Sequence, residues 1–226
     1  MAMPALPVTV VTYSGTYVDL NGREILQIAN DGAMLVTTIR NVRFAGRDFD
    51  SLAPAADTPG DQLLLFTLNS GELCACKFTF EIPLPLVVHG RPGLGALDVE
   101  LDLGRPAPRG GIDHEHLRLS LTHGDSVVTS SGLSGLFENE LLELQSRLPQ
   151  GVHLKACINC LFSDYSPYGQ GLFGNMLCFR NIKEEYLRVT SKVEFWEVYG
   201  RQDRQVQETF LCEQFQLRIA GTGYRG

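Results

Sequence analysis

Leu97-Asp98-Val99-Glu100-Leu101-Asp102-Leu103 sets an apolar side chain at every second position with a carboxylate between each pair. Successive side chains of an extended chain point to opposite faces, so this stretch reads as a half-buried strand. Leu117, Leu119 and Leu121 alternate in the same way with Arg118, Ser120 and Thr122. Upstream, Cys74, Cys76, Phe78, Phe80 and Ile82 share one face of a run from Leu73 to Ile82, opposite Lys77, Thr79 and Glu81. Tyr17 to Leu20 and Glu24 to Ile28 flank Asn21-Gly22, a pair suited to the positive φ angles of a type I′ hairpin. Leu35 to Phe44 and Gln62 to Leu68 add further strands, with turns at Asn30-Asp31-Gly32 and Asn69-Ser70-Gly71. Short strands joined by turn signals, with no helices between them, predict an antiparallel β-sandwich-like body.

The pattern then changes. Phe137, Leu141, Leu144 and Leu148 recur at helical spacing, with Ser134 as N-cap and Pro149 as stop. A second helical stripe runs through Ile182, Tyr186, Val189, Val193 and Trp196 to Gly200, and is expected to pack on the β core. The fold class is therefore α+β: a β-rich body over residues 1–150 that ends in a helix, and a cysteine-rich, zinc-binding region over 151–226 packed on it. Ile28, Phe66, Phe78, Phe80, Leu101, Leu119, Leu141 and Trp196 are the expected core.

With 226 residues, 44% hydrophobic and 20% charged, the chain is long enough to bury a large core. A formal charge of −7 opposes binding to nucleic acid, which draws affinity from Lys and Arg on phosphates. Met1 to Pro7 has neither a basic flank nor a long apolar stretch, so no membrane segment or secretory signal is expected there. The expected compartment is the cytoplasm, where six cysteines read as buried thiols or metal ligands rather than as disulfides.

Cys157 and Cys160 form a Cys-x2-Cys pair, and Cys178 and Cys212 complete a set of four. Such a pair supplies two corners of a zinc tetrahedron from one turn, and distant residues supply the others. His153 is the alternative fourth ligand. Cys74 and Cys76 sit beside Phe78 and Phe80 and are assigned to the core.

His114 and His116 would face one side of a strand, an arrangement some metalloenzymes use. The expected acidic companion is missing downstream, where Leu119 and Ser120 stand, so a solvated sheet face is the competing reading. Gly169-Gln170-Gly171-Leu172-Phe173-Gly174 matches the dinucleotide fingerprint in letters only, because it follows Ser163-Asp164-Tyr165-Ser166-Pro167-Tyr168 and not a buried strand. Its glycines are read as permitting an unusual backbone path.

The segments Cys157 to Pro167, Phe173 to Arg180, Val206 to Cys212 and Gly221-Thr222-Gly223-Tyr224-Arg225-Gly226 resemble an uncharacterised bacterial family built on a domain of unknown function, mainly over residues 135 to 226. That resemblance implies a bacterial origin and groups the four cysteines. It brings no activity.

The expected function is a non-enzymatic interaction or binding module. A structural zinc on Cys157, Cys160, Cys178 and Cys212 would fix the loop from Ser163 to Gly174 as a recognition surface for a protein, with Tyr165, Tyr168, Leu172 and Phe173 in contact. A small molecule is the second partner class. The alternatives are a metalloenzyme using His114 and His116, with His123 as a further candidate, and a thiol oxidoreductase using Cys157 and Cys160. The glycine-rich tail is expected to be ordered through Tyr224 and Arg225.

Overall fold

The structure is a computed structural model and describes residues 10–166 and 171–224. Its body is one ten-stranded antiparallel sheet, built from β1 (Val11–Asp19), β2 (Gly22–Asn30), β3 (Leu35–Ile39), β4 (Val42–Gly46), β5 (Ala53–Pro54), β8 (Cys76–Val88), β9 (Arg91–Leu103), β10 (Glu115–His123), β11 (Ser126–Thr129) and β12 (Val152–Leu154). The strands lie in the order β11-β10-β9-β8-β1-β2-β3-β4-β5, and β12 pairs with the far end of β8. A helical turn, α1 (Gly60–Leu63), and the small hairpin of β6 (Thr67–Asn69) and β7 (Glu72–Cys74) connect β5 to β8.

The alternation that predicts strands also sets their faces. Phe78, Leu101 and Leu117 stand side by side on one face, followed by Phe80, Val99 and Leu119, and all six are buried. Residues from both ends of the sheet, including Ile28, Leu35 and Phe44, join the same core, which gives the body its sandwich-like form. Phe49 stacks on Phe80 at 4.8 Å and on Phe137 at 6.0 Å between ring centroids, linking sheet to helix. Pro83 and Pro85 fall on β8 after β1 leaves it at Phe80 and before β12 joins at Leu86, where no neighbouring strand needs their missing N–H groups.

Several strand boundaries differ from expectation. The run from Leu35 to Phe44 is a hairpin, turning at Arg40 and Asn41 with φ of 50° and 64°. Tertiary contacts hold Arg40 there, for its guanidinium donates two hydrogen bonds of 2.7 Å to Asp19 and lies 5.6 Å from the rings of Tyr17 and Phe66. The first hairpin forms as expected, but its turn residues are Leu20 and Asn21, with Gly22 at φ 121° opening β2. Of the run from Gln62 to Leu68, only Thr67 and Leu68 are strand, in β6, and the rest is helical turn and bend. Ala75, at φ 52°, breaks the run through Leu73 to Ile82, although Cys74 and Cys76 are both buried.

α2 (Phe137–Arg147) matches the predicted helix and buries Phe137, Leu141 and Leu144. Ser134 does not cap it; its hydroxyl donates to Glu140 at 2.6 Å. The second helix divides into α3 (Lys183–Tyr186) and α4 (Lys192–Val198). Ser191 caps α4 by accepting the Glu194 N–H, and the Glu194 carboxylate reaches back to the Thr190 N–H at 2.7 Å. The consequence is a shifted stripe. Phe195 is buried and Trp196 is 39% exposed, so Trp196 is not core. Tyr186, Val189, Phe195 and Val198 form their own small cluster with Leu177 and Phe179 instead of packing on the main core.

The chain crosses positions 150 and 151 without leaving the body, because β12 returns to β8. A small sheet follows, of β13 (Ser163–Tyr165), β14 (Met176–Cys178) and β15 (Arg204–Val206). No helix among the described residues is long and apolar enough to cross a membrane.

Candidate metal centre

The four cysteines lie on three segments that hydrogen bonding draws together. Cys157 opens a 3-10 turn after β12, closed by the Cys160 N–H donating to the Cys157 carbonyl at 3.1 Å. This is a tight loop and not the start of an amphipathic helix, as a thioredoxin-like pair would require. The Cys157 N–H donates to Phe210 O at 2.7 Å and the Ile158 N–H to Glu208 O at 2.9 Å, which brings up the segment carrying Cys212. Strand pairing sets Cys178 opposite Ser163. Cys157, Cys160 and Cys178 are buried, Cys212 is partly exposed, and all six cysteines of the chain are free thiols.

The thiols lie within electrostatic reach of one another. Burial pushes the Cys157 thiol well above its ordinary pKa, and Cys160, Cys178, Cys212 and Glu208 push it further. Burial also raises Cys178, with Cys212 and Cys160 adding to the effect. Among the described residues, no group of three or more His, Cys, Asp or Glu side chains is placed to hold a metal ion. His153 lies on β12 with its Nδ1 3.4 Å from Gln145 Nε2.

A buried polar scaffold surrounds the turn. The Ser163 hydroxyl donates to the carbonyls of Cys157 and Cys160, and Arg218 donates to the carbonyls of Cys160 and Ser163. Asp164 Oδ2 accepts the Tyr186 hydroxyl at 2.7 Å. Burial first, and then the Asp164 charge, raise the Tyr186 pKa. Ser163 and Asp164, both buried, are thus internal fasteners of the loop that starts with them. The tail docks on the same framework: a Cβ on Gly223 would stand 2.8 Å from the Tyr186 hydroxyl, and the Tyr224 ring lies 5.0 Å from Phe195. Arg225 lies outside the described residues.

The glycine-rich loop is held by carboxylates that sequence reading does not find. Asp48 accepts the N–H groups of Phe49 at 2.7 Å and Phe173 at 2.8 Å. Glu208 accepts those of Gly174 at 2.7 Å and Asn175 at 3.3 Å. Backbone N–H groups of the kind that bind phosphate in a dinucleotide site are therefore filled by the protein's own acids. Burial, followed by the charge of nearby Asp50, pushes the Asp48 pKa up to about 8. Leu172 and Phe173 are 1% exposed and Tyr165 is 8% exposed, so the expected recognition surface gives way to a packing role. Tyr168 lies outside the described residues.

On the outer face of the main sheet His114 and His116 do converge, with ring centroids 4.8 Å apart. Asp102 on the neighbouring strand β9 is paired in register with His116. His123 does not join them; it lies near the other end of β10, its Nδ1 3.0 Å from Leu94 O.

No curated protein and no solved structure matches the chain. A family model, described as a family of unknown function (DUF6304), matches residues 11–163. The match spans the β body and α2 and ends just past the Cys157–Cys160 turn, whereas the resemblance read from the sequence lies mainly over 135–226. By that match over more than half its length, the chain belongs to this family of unknown function.

Proposed function

We propose that the chain is a non-enzymatic binding module in which Cys157, Cys160, Cys178 and Cys212 hold one structural zinc ion. The observation that supports this reading is that hydrogen bonds join the three backbone segments carrying the four thiols, with Cys160, Cys178 and Cys212 within electrostatic reach of Cys157. Four soft sulfur donors suit zinc and leave no open position for a reacting water, so the ion's role is to hold structure. It would tie the Cys157 turn, β14 and the segment before the tail into one unit. Free thiols throughout suit a reducing compartment, the cytoplasm of a bacterium.

The partner is a protein, and the surface assigned to it is α4, where Val193 is 74% exposed beside Trp196. A small molecule is the second partner class. Elemental analysis of untagged protein is expected to find one zinc per chain, lost on replacing any of the four cysteines with serine. Chelation should lower the melting temperature and change the emission of Trp196, the chain's single tryptophan. Zinc-free protein of unchanged stability overturns the reading. A His153→Ala variant that loses zinc, with one cysteine dispensable, would reassign the ligands.

A further inference from the structure

Among the described residues, β5 and β11 are the outermost strands of the main sheet. β5 carries Pro54, and the Leu73 N–H of β7 donates to the Leu52 carbonyl beside it at 2.8 Å, which blunts that edge. β11 is different. Its register with β10 sets Ser120 opposite Thr129 and Thr122 opposite Val127, and the Ser130 N–H donates to Leu119 O at 2.8 Å. Bonded and open positions alternate along an antiparallel ladder, so Val127, Thr129 and Ser131 turn their backbone groups away from β10.

Side chains of α2 meet two of these three residues. Arg147 Nη1 donates to the Thr129 carbonyl at 2.5 Å, and Glu143 Oε2 accepts the Ser131 N–H at 2.8 Å. Val127 lies beyond them, toward the Gly124-Asp125 turn, with its side chain 63% exposed. It is therefore the position on this edge where both the N–H and the carbonyl stay open.

We propose that β11 pairs with β11 of a second copy of the chain, antiparallel about a two-fold axis at Val127, so that two main sheets join edge to edge. Val127 against Val127 exchanges two backbone hydrogen bonds. The same register sets Asp125 of each copy opposite Thr129 of the other, beside the Arg147 guanidinium that holds it. Asp125 is exposed and Arg147 is 49% exposed, so an acid at one end of the edge meets a base at the other. That self-complementarity is what a two-fold interface needs, whereas a parallel pairing would bring Asp125 against Asp125. Four residues bury less than the roughly 1,600 Å² of a standard interface, so association is weak, with Kd above about 1 μM. The pairing rests on neither the cysteine cluster nor α4.

Sedimentation of the full chain at concentrations up to about 1 mM tests it. The mass of wild type is expected to rise from 25.0 kDa toward twice that value. Val127→Pro removes the open N–H and Val127→Lys sets like charges face to face, and both should abolish the rise while the circular dichroism spectrum stays unchanged. Asp125→Lys should weaken it. In the paired edges the two Val127 Cα atoms stand about 5.5 Å apart, within disulfide range. Val127→Cys should accordingly form an intermolecular disulfide at that position with oxidised glutathione, and Leu94→Cys, at a site equally 63% exposed, should not. A chain that stays monomeric throughout overturns the proposal. So does a dimer that survives Val127→Lys or Asp125→Lys, or cross-linking no greater at Val127→Cys than at Leu94→Cys.

Discussion

Asp48 and Glu208, distant in sequence, hold successive backbone N–H groups of one loop, Asp48 that of Phe173 and Glu208 those of Gly174 and Asn175. Asp48 is nearly buried beside Asp50, so its proton is held to about pH 8. Its folded pKa lies above the ordinary carboxylate value, which makes the sign definite. The stability it contributes is complete below about pH 4 and is lost as pH rises through 8. Asp48→Asn removes that slope. Urea unfolding from pH 5 to 9 should therefore show the advantage of wild type over Asp48→Asn shrinking as pH rises, and a constant difference would contradict the assignment. Glu208→Gln leaves one acceptor for two N–H groups and should cost about 1–3 kcal/mol, read from the urea midpoint.

A single residue, Ser191, divides the expected long helix into α3 and α4. Its hydroxyl accepts the Glu194 N–H and so starts a new helix where apolar spacing alone would continue the old one. The new start turns Phe195 inward onto Phe179, 5.6 Å between centroids, and Trp196 outward. Phe195→Ala should then cost about 3–5 kcal/mol, whereas Trp196→Ala should cost less than about 1 kcal/mol. Denaturation followed by circular dichroism compares the two, and equal losses would mean that the stripe faces the other way. The tail belongs to the same element group through Gly223 and Tyr224, so deleting residues 221–226 should lower the melting temperature. An unchanged value would show that the docking carries no energy.

The whole molecule has two kinds of interior. The main core is broad and apolar, runs from β1 to Val206 and includes Cys157 and Cys178, while the clusters around Phe195 and Phe162 are small, the latter holding Cys160. Small cores bury too little surface to offset chain entropy alone and draw on staples or metals. Hydrogen exchange after chelation, or in Cys178→Ser, should accordingly lose protection over 177–224 while β8, β9 and β10 keep theirs. Equal loss in the central strands would mean that the cysteines support the entire fold.

Alternation along Leu73–Ile82, Leu97–Leu103 and Leu117–Leu121 determined which faces of β8, β9 and β10 are buried, because the side-chain period of a strand is written locally. Spacing likewise singled out Phe137–Arg147 as a helix and Cys157 and Cys160 as a turn-borne pair. Only the tertiary structure decided that Asp48 holds Phe173, 125 residues away, and that Asn30 donates to Gln207 across 177. It also decided that Asp102 stands beside His114, and that Arg40 adopts a left-handed turn because Asp19 binds it. Periodicity records whether a side chain faces the core or water. A polar partner distant in sequence leaves no such periodic trace, because the contact exists only once the sheet has brought the two together.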